Sequence, residues 1–173
     1  MSFQIQNSTI SGVGIYATSL ISAGTLICHM NGEVIDFEEA VNRVKGGVEM
    51  ESDPLATSMS TYLDLDETSR SFNHSCEPNA YIRSVNELVA LKDILPGDEI
   101  CFDYSTTMHY PEERILAAGF ELWTCTCNCG TSSCRGIIDQ FKTLPLELQS
   151  YYLKNKFLPQ FMLEAFEPTI HTA

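Results

Sequence analysis

Arg70-Ser71-Phe72-Asn73-His74-Ser75-Cys76-Glu77-Pro78-Asn79 decides how the rest of this chain is read. Asn, His, Ser and Pro favour neither helix nor strand, so the stretch is predicted to be an ordered loop. It gathers amide, imidazole, hydroxyl and thiol groups between apolar, strand-like runs. A loop of that composition carries function more often than packing. Two later segments answer it in chemistry. Glu99-Ile100-Cys101-Phe102-Asp103-Tyr104 brings two carboxylates and a phenol on an apolar run, and Cys127-Asn128-Cys129-Gly130-Thr131-Ser132-Ser133-Cys134-Arg135-Gly136 brings three thiols.

The chain around these segments has 173 residues, which is one domain with room for a real core. Ten basic residues face 23 acidic ones, for a formal charge of -13, so a basic face for nucleic acid is not expected. Such a surface attracts a basic protein or peptide by long-range steering, or it serves solubility alone; composition leaves both open. Met1 to Asn7 has neither a basic start nor an apolar run, so no signal peptide is expected. No run reaches the apolar length of a membrane span. An intracellular, soluble protein is therefore expected. Of seven cysteines, four fall between Cys125 and Cys134, and in that setting clustering points to metal rather than disulfides.

Apolar patterning predicts short strands at Phe3–Ile5, Val13–Ala17, Thr25–Met30, Glu33–Ile35, Tyr62–Leu65, Ala80–Val85, Leu88–Asp93 and Glu99–Tyr104. Turn signals separate them at Ala23-Gly24, Asn31-Gly32, Asn86-Glu87 and Pro96-Gly97-Asp98. Asp36 with Glu39 makes a capping box ahead of Phe37, Ala40, Val41 and Val44, and Gly46-Gly47 stops that helix. A short helix is predicted from Pro111 to Ala118. An amphipathic one is predicted from Pro145 to Phe157, burying Leu148, Tyr151, Tyr152 and Leu153 and ended by Pro159. Residues 48 to 60 carry no clear pattern. The class is mainly β, several small sheets with peripheral helices.

With Gly12-Val13-Gly14-Ile15-Tyr16-Ala17, these segments resemble the ordered motif set of SET-domain protein-lysine methyltransferases with a post-SET zinc segment. The resemblance covers about residues 8 to 138. It implies a SET fold with a threaded, pseudoknot-like active-site segment. Residues 1–120 would be the catalytic SET domain, 121–138 the zinc segment and 139–173 a C-terminal helical extension. No cysteine array or reader module is expected before Gly12, so substrate choice is expected from the acidic surface, residues 36 to 62 or the C-terminal helix. It implies S-adenosylmethionine as methyl donor, held by Gly12, Val13, Gly14, Arg70, Asn73, His74, Tyr104 and Trp123. Physically, glycines admit close backbone approach, Asn73 offers an amide, and Arg70 can meet a carboxylate. Val13 stands where many members carry an aromatic, and Met30 where a tyrosine is common.

For metal, the resemblance implies that Cys76 completes a zinc tetrahedron with Cys127, Cys129 and Cys134. A local set using Cys125 in place of Cys76 has equally workable spacing and stays open. The resemblance makes Tyr104 the catalytic residue, at the end of a lysine channel lined by Tyr62 and Phe102. The resemblance also implies that phenylalanine at 102, where the family carries phenylalanine or tyrosine, leaves room for di- or trimethyl product. A lysine amine with pKa of about 10.4 needs an apolar channel to become neutral. The function expected is transfer of methyl to a lysine ε-amine of a basic protein or peptide. The alternatives are a SET-fold enzyme acting on a small-molecule amine and a binding module without catalysis.

Overall fold

The N-terminal strand β1 (Phe3–Asn7) pairs antiparallel with β2 (Val13–Ala17), from Phe3 opposite Ala17 to Asn7 opposite Val13. The glutamines of β1 face solvent, while Ile15 and Ala17 of β2 are buried. Ile5, between the glutamines, is exposed as well, so β1 meets the core through Phe3, whose ring packs edge-on against Phe72. The computed structural model describes residues 2–47 and 54–166. Part of the stretch from 48 to 60 that carries no sequence pattern therefore lies outside the described residues.

Two three-stranded antiparallel sheets follow. One has β8 (Glu87–Ala90) between β3 (Leu26–His29) and β7 (Ala80–Arg83). The other has β6 (Thr61–Leu65) between β4 (Gly32–Asp36) and β5 (Pro54–Ala56). Helix α1 (Phe37–Lys45) leaves β4 directly. Asp36 caps it by accepting the Glu39 N–H at 2.9 Å, but Glu39 does not return the bond. Its carboxylate instead takes Arg43 Nε at 2.8 Å, one turn on, so the capping box is half made.

Helix α2 (Glu67–Arg70) is one turn long, capped by Asp66, and delivers the chain into the central loop. Helix α3 (Glu112–Ala117) lies inside the expected bounds, with Pro111 before it and Gly119 (φ +87°) after it. A two-stranded ribbon of β9 (Cys125–Thr126) and β10 (Ile137–Ile138) brackets the cysteine segment. Helix α4 (Leu146–Asn155) ends at left-handed Lys156, three residues before the expected Pro159, and α5 (Gln160–Phe166) follows. On α4, Tyr152 is buried and Leu148 and Leu153 are half-buried, but Tyr151 is exposed, against expectation. Its ring lies instead against Phe157, 5.8 Å between centroids.

Glu99–Tyr104 departs most from prediction. Its β-prone residues do not extend a sheet; they make single bridges, Tyr16 to Glu99 and His74 to Phe102. On one side Ile100 N–H donates to Ile15 (2.7 Å). On the other, Ala80 and Ser75 donate to Cys101 and Phe102 at 3.0 and 3.1 Å. The segment is thus held between β2 and the central loop, then turns at Tyr104 into a 3₁₀ turn (Tyr104–Thr107). Its core is shared with Ile15, Met30, Leu65 and Phe72, while a second core joins α1 to α4 and α5 through Phe37, Tyr62, Phe141, Tyr152 and Phe161.

Candidate active site

Tyr104 is positioned by the central loop at both ends of the residue. Its N–H donates to His74 Nδ1 at 3.2 Å, and its phenol donates to the Phe72 carbonyl at 2.7 Å. The imidazole is 3 % exposed, and burial holds its pKa down to about 4. A neutral ring that accepts at Nδ1 carries its proton on Nε2, which faces Cys76 Sγ at 3.3 Å. Asp103 Oδ1, 3.5 Å from Nδ1, already accepts from Arg135 and Ser105, so the partner of Nδ1 is the Tyr104 amide.

The half-buried Tyr104 ring faces a cavity of about 110 Å³, whose walls include Leu65, Arg70, Phe72, Phe102 and Trp123. Phe102 and Tyr104 lie 4.9 Å apart between ring centroids. Tyr62, expected in the same channel, lines an adjoining groove with Phe37, Phe120 and Tyr110 instead. Pro54, Tyr110 and Trp123 border both spaces. Arg70 reaches the cavity wall, but its guanidinium also holds the Leu65 carbonyl and Asp64 Oδ1, each at 2.7 Å. Asp64 is further paired with Arg43 of α1.

The second glycine of the Gly-x-Gly turn has a packing reason in the structure. A Cβ at Gly14 would collide with the Glu99 carboxylate and stand 3.1 Å from Asn73 Nδ2. Glycine there admits Glu99, which accepts from Ser8, Tyr16 and Asn73 at 2.9, 2.9 and 2.7 Å. Asn73 Nδ2 also donates to the Val13 carbonyl at 2.8 Å, so this amide ties β2 to the central loop. Gly12, with φ +46°, faces open space, and the Val13 side chain is exposed. Glu99 was present in the quoted motif, but nothing local marks it as the acceptor for residues 26, 83 and 91 positions away.

Asp103 is a second hub that sequence reading missed. Its carboxylate is fully buried and takes a bidentate pair from Arg135, Nη1 to Oδ2 at 2.9 Å and Nη2 to Oδ1 at 2.7 Å. The Ser105 N–H donates to Oδ1 at 3.1 Å and the Tyr152 hydroxyl to Oδ2 at 3.0 Å. A buried carboxylate beside an aromatic pair needs a counter-charge, and the Arg of Cys134-Arg135-Gly136 was the available signal.

Cys76, Cys127, Cys129 and Cys134 bring their sulfurs within 4.8 Å of one another, and Cys125 is not among them. Cys76 and Cys127 are 3.7 Å apart, against about 3.8 Å for the edge of a tetrahedron with Zn–S of about 2.3 Å. Backbone N–H groups of Arg135 and Gly136 approach Cys76 and Cys134 at 3.4 Å, as thiolates require. Burial pushes the Cys127 thiol up. Burial would do the same to Cys129, but donors including the Thr131 hydroxyl hold it down to about 6. The donor set suits a soft, four-coordinate ion.

The fold has counterparts among known proteins. The family profile described as SET domain matches residues 12–105. Histone-lysine N-methyltransferase SETMAR of Mus musculus is 28 % identical over 156 residues, covering 76 % of this chain and 50 % of that protein. The H3 lysine-9 specific histone-lysine N-methyltransferase of Schizosaccharomyces pombe is 31 % identical over 156 residues, covering 72 % of this chain and 30 % of that protein. The crystal structure of the methyltransferase domain of human SETMAR superposes with a TM-score of 0.60 at 27 % identity, over 80 % of this chain and 58 % of that one. The chain thus spans half the length or less of these two curated relatives.

Proposed function

This chain belongs to the SET-domain family, and on that premise we propose that it transfers a methyl group from S-adenosylmethionine to a lysine ε-amine of a basic protein. The observation that carries the proposal is the Tyr104 phenol. Its hydroxyl donates to the Phe72 carbonyl, which fixes the phenol oxygen at the wall of an aromatic cavity. An oxygen so placed accepts an N–H of the incoming amine and aims the nitrogen lone pair along the channel. Burial among Phe72, Phe102 and Trp123 favours the neutral amine, and the ring faces tolerate the cation that forms on transfer.

Gly12, Arg70, Asn73, His74 and Trp123 are the residues we assign to the methyl donor. Arg70 and Trp123 line the cavity wall, and the guanidinium, oriented by the Leu65 carbonyl and Asp64, brings positive charge towards a ligand carboxylate there. The donor supplies an electrophilic methyl on a sulfonium; the residues bind, orient and keep water out. The four thiols fit zinc, which we assign a structural role, fastening residues 121–138 onto the loop that carries His74. Residues 1–120 then act as the catalytic domain and 139–173 as a helical extension. Phe102 leaves the space that a second or third methyl needs.

The formal charge of -13 favours a basic substrate, and histones are the first to try, because the named relatives act on them. No helix among the described residues is long and apolar enough to cross a membrane. An intracellular site of action is part of the proposal. The test is transfer of labelled methyl to core histones and, in parallel, to small amines. Label in histone, lost by about a hundredfold in Tyr104→Phe with donor binding retained, is the expected result. Phe102→Tyr is expected to shift the product towards monomethyl-lysine. Label only in small amines, or full activity in Tyr104→Phe, refutes the proposal.

A further inference from the structure

We propose that the C-terminal helix α4 belongs to the methyl-transfer apparatus, with Tyr152 as a positioning residue that sets the backbone carrying Tyr104 by way of Asp103. The inference rests on the methyltransferase reading. It concerns a part of the chain beyond residues 12–105, the span the SET profile matches.

Tyr152 is 2 % exposed, and its hydroxyl gives its hydrogen to Asp103 Oδ2 at 3.0 Å across 49 positions of sequence. Burial and the neighbouring carboxylate push its pKa up, so it stays a donor. Asp103 is rooted in the backbone immediately before Tyr104. A carboxylate is free to rotate about its last bond unless donors arrive from several directions, and here they do. Arg135 approaches both oxygens, Ser105 N–H comes from the 3₁₀ turn, and Tyr152 comes from α4. The carboxylate so fixed caps the turn that begins at Tyr104. That turn's direction in turn fixes the Tyr104 N–H on His74 and the phenol on Phe72.

The Tyr152 ring is itself immobilised, with Phe141 at 6.5 Å and Tyr151 at 5.6 Å between centroids. A ring serving only as filler needs no hydroxyl. This one ends on the residue next to the proposed catalytic phenol. Helix α4 therefore reports its docking to the reaction centre through one hydrogen bond.

The test compares the full zinc-loaded chain with Tyr152→Phe, which keeps the ring and the Arg135 contacts, and with Tyr151→Phe on the exposed face. Labelled methyl transfer to core histones gives kcat and KM, and amide hydrogen exchange reports residues 103–107. In Tyr152→Phe, kcat falls about tenfold with KM within about twofold, and Ser105 and Thr106 lose about fivefold or more in protection while β7 and β8 keep theirs. Tyr151→Phe matches the parent. Unchanged kcat and unchanged exchange in Tyr152→Phe overturn the inference, as does protection lost equally across β7, β8 and α4, the mark of a merely structural role. If the parent chain itself transfers no label, the methyltransferase reading falls. Exchange at 103–107 then decides alone whether α4 sets this turn.

Discussion

Replacing Arg135 by Met strands a buried carboxylate. The Asp103 side chain is 0 % exposed and Arg135 16 %, with contacts of 2.7 and 2.9 Å on the two oxygens. Breaking a buried pair by removing one partner costs about 3–5 kcal/mol, because the remaining charge keeps its desolvation penalty and loses its compensation. Ser105 N–H and the Tyr152 hydroxyl soften that loss, which places the expectation at about 3 kcal/mol. With a urea slope of about 2 kcal/mol per molar, the unfolding midpoint drops by about 1.5 M. Adding Asp103→Asn removes the stranded charge and recovers more than half of the drop. The exposed pair Arg83–Glu87, of equal length at 2.9 Å, is the control, and Arg83→Met leaves the midpoint unchanged. Urea titrations by circular dichroism in the presence of zinc read all four chains. A drop below about 0.5 M in Arg135→Met, or a double variant no more stable than the single one, refutes the reasoning that a buried charge is at stake.

Three further outcomes are expected. Purified protein carries about one zinc per chain, Cys76→Ser loses it and Cys125→Ser keeps it; elemental analysis showing the reverse overturns the choice of ligands. Gly14→Ala displaces Glu99 and frees Asn73, lowering stability by about 1–3 kcal/mol. Gly12→Ala meets open space and costs about 1 kcal/mol of backbone strain, so thermal melts that reverse this order contradict the packing account. Burial lowers the pKa of His109, with Lys142 adding to the effect. Its stabilising share is therefore present above the unfolded value of about 6.5 and is lost as pH falls through that value towards the folded one. His109→Phe, keeping the ring against Phe166, should lose less stability between pH 7 and 5 than the parent in urea titrations, and an equal loss sinks this assignment.

Much of the strand inventory was open to inspection because alternation and turn residues act locally. Val13–Ala17, Tyr62–Leu65 and the β7–β8 hairpin need only their neighbours to be recognised. Asp36 at the start of α1 is equally local. Residues 99 to 104 show where that logic stops. Ile100 and Phe102 have strand chemistry, but their partners are β2 on one side and the central loop on the other. Neither can be inferred from the segment itself. Helix α2 was hidden because four residues give no periodicity to detect.

By itself the sequence determined the class of fold and the run of thiols from Cys125 to Cys134, since composition, turn residues and spacing are properties of short stretches. Only the tertiary structure brought Cys76, and not Cys125, into the group of four converging thiols, gave Gly14 its reason in Glu99, and joined Asp103 to Arg135 and Tyr152 across 32 and 49 positions. The physical reason is the same in each case. A buried charge, a close backbone approach or a tetrahedron of sulfurs is satisfied by whichever groups the folded chain brings within about 3–4 Å, and distance along the chain says nothing about that.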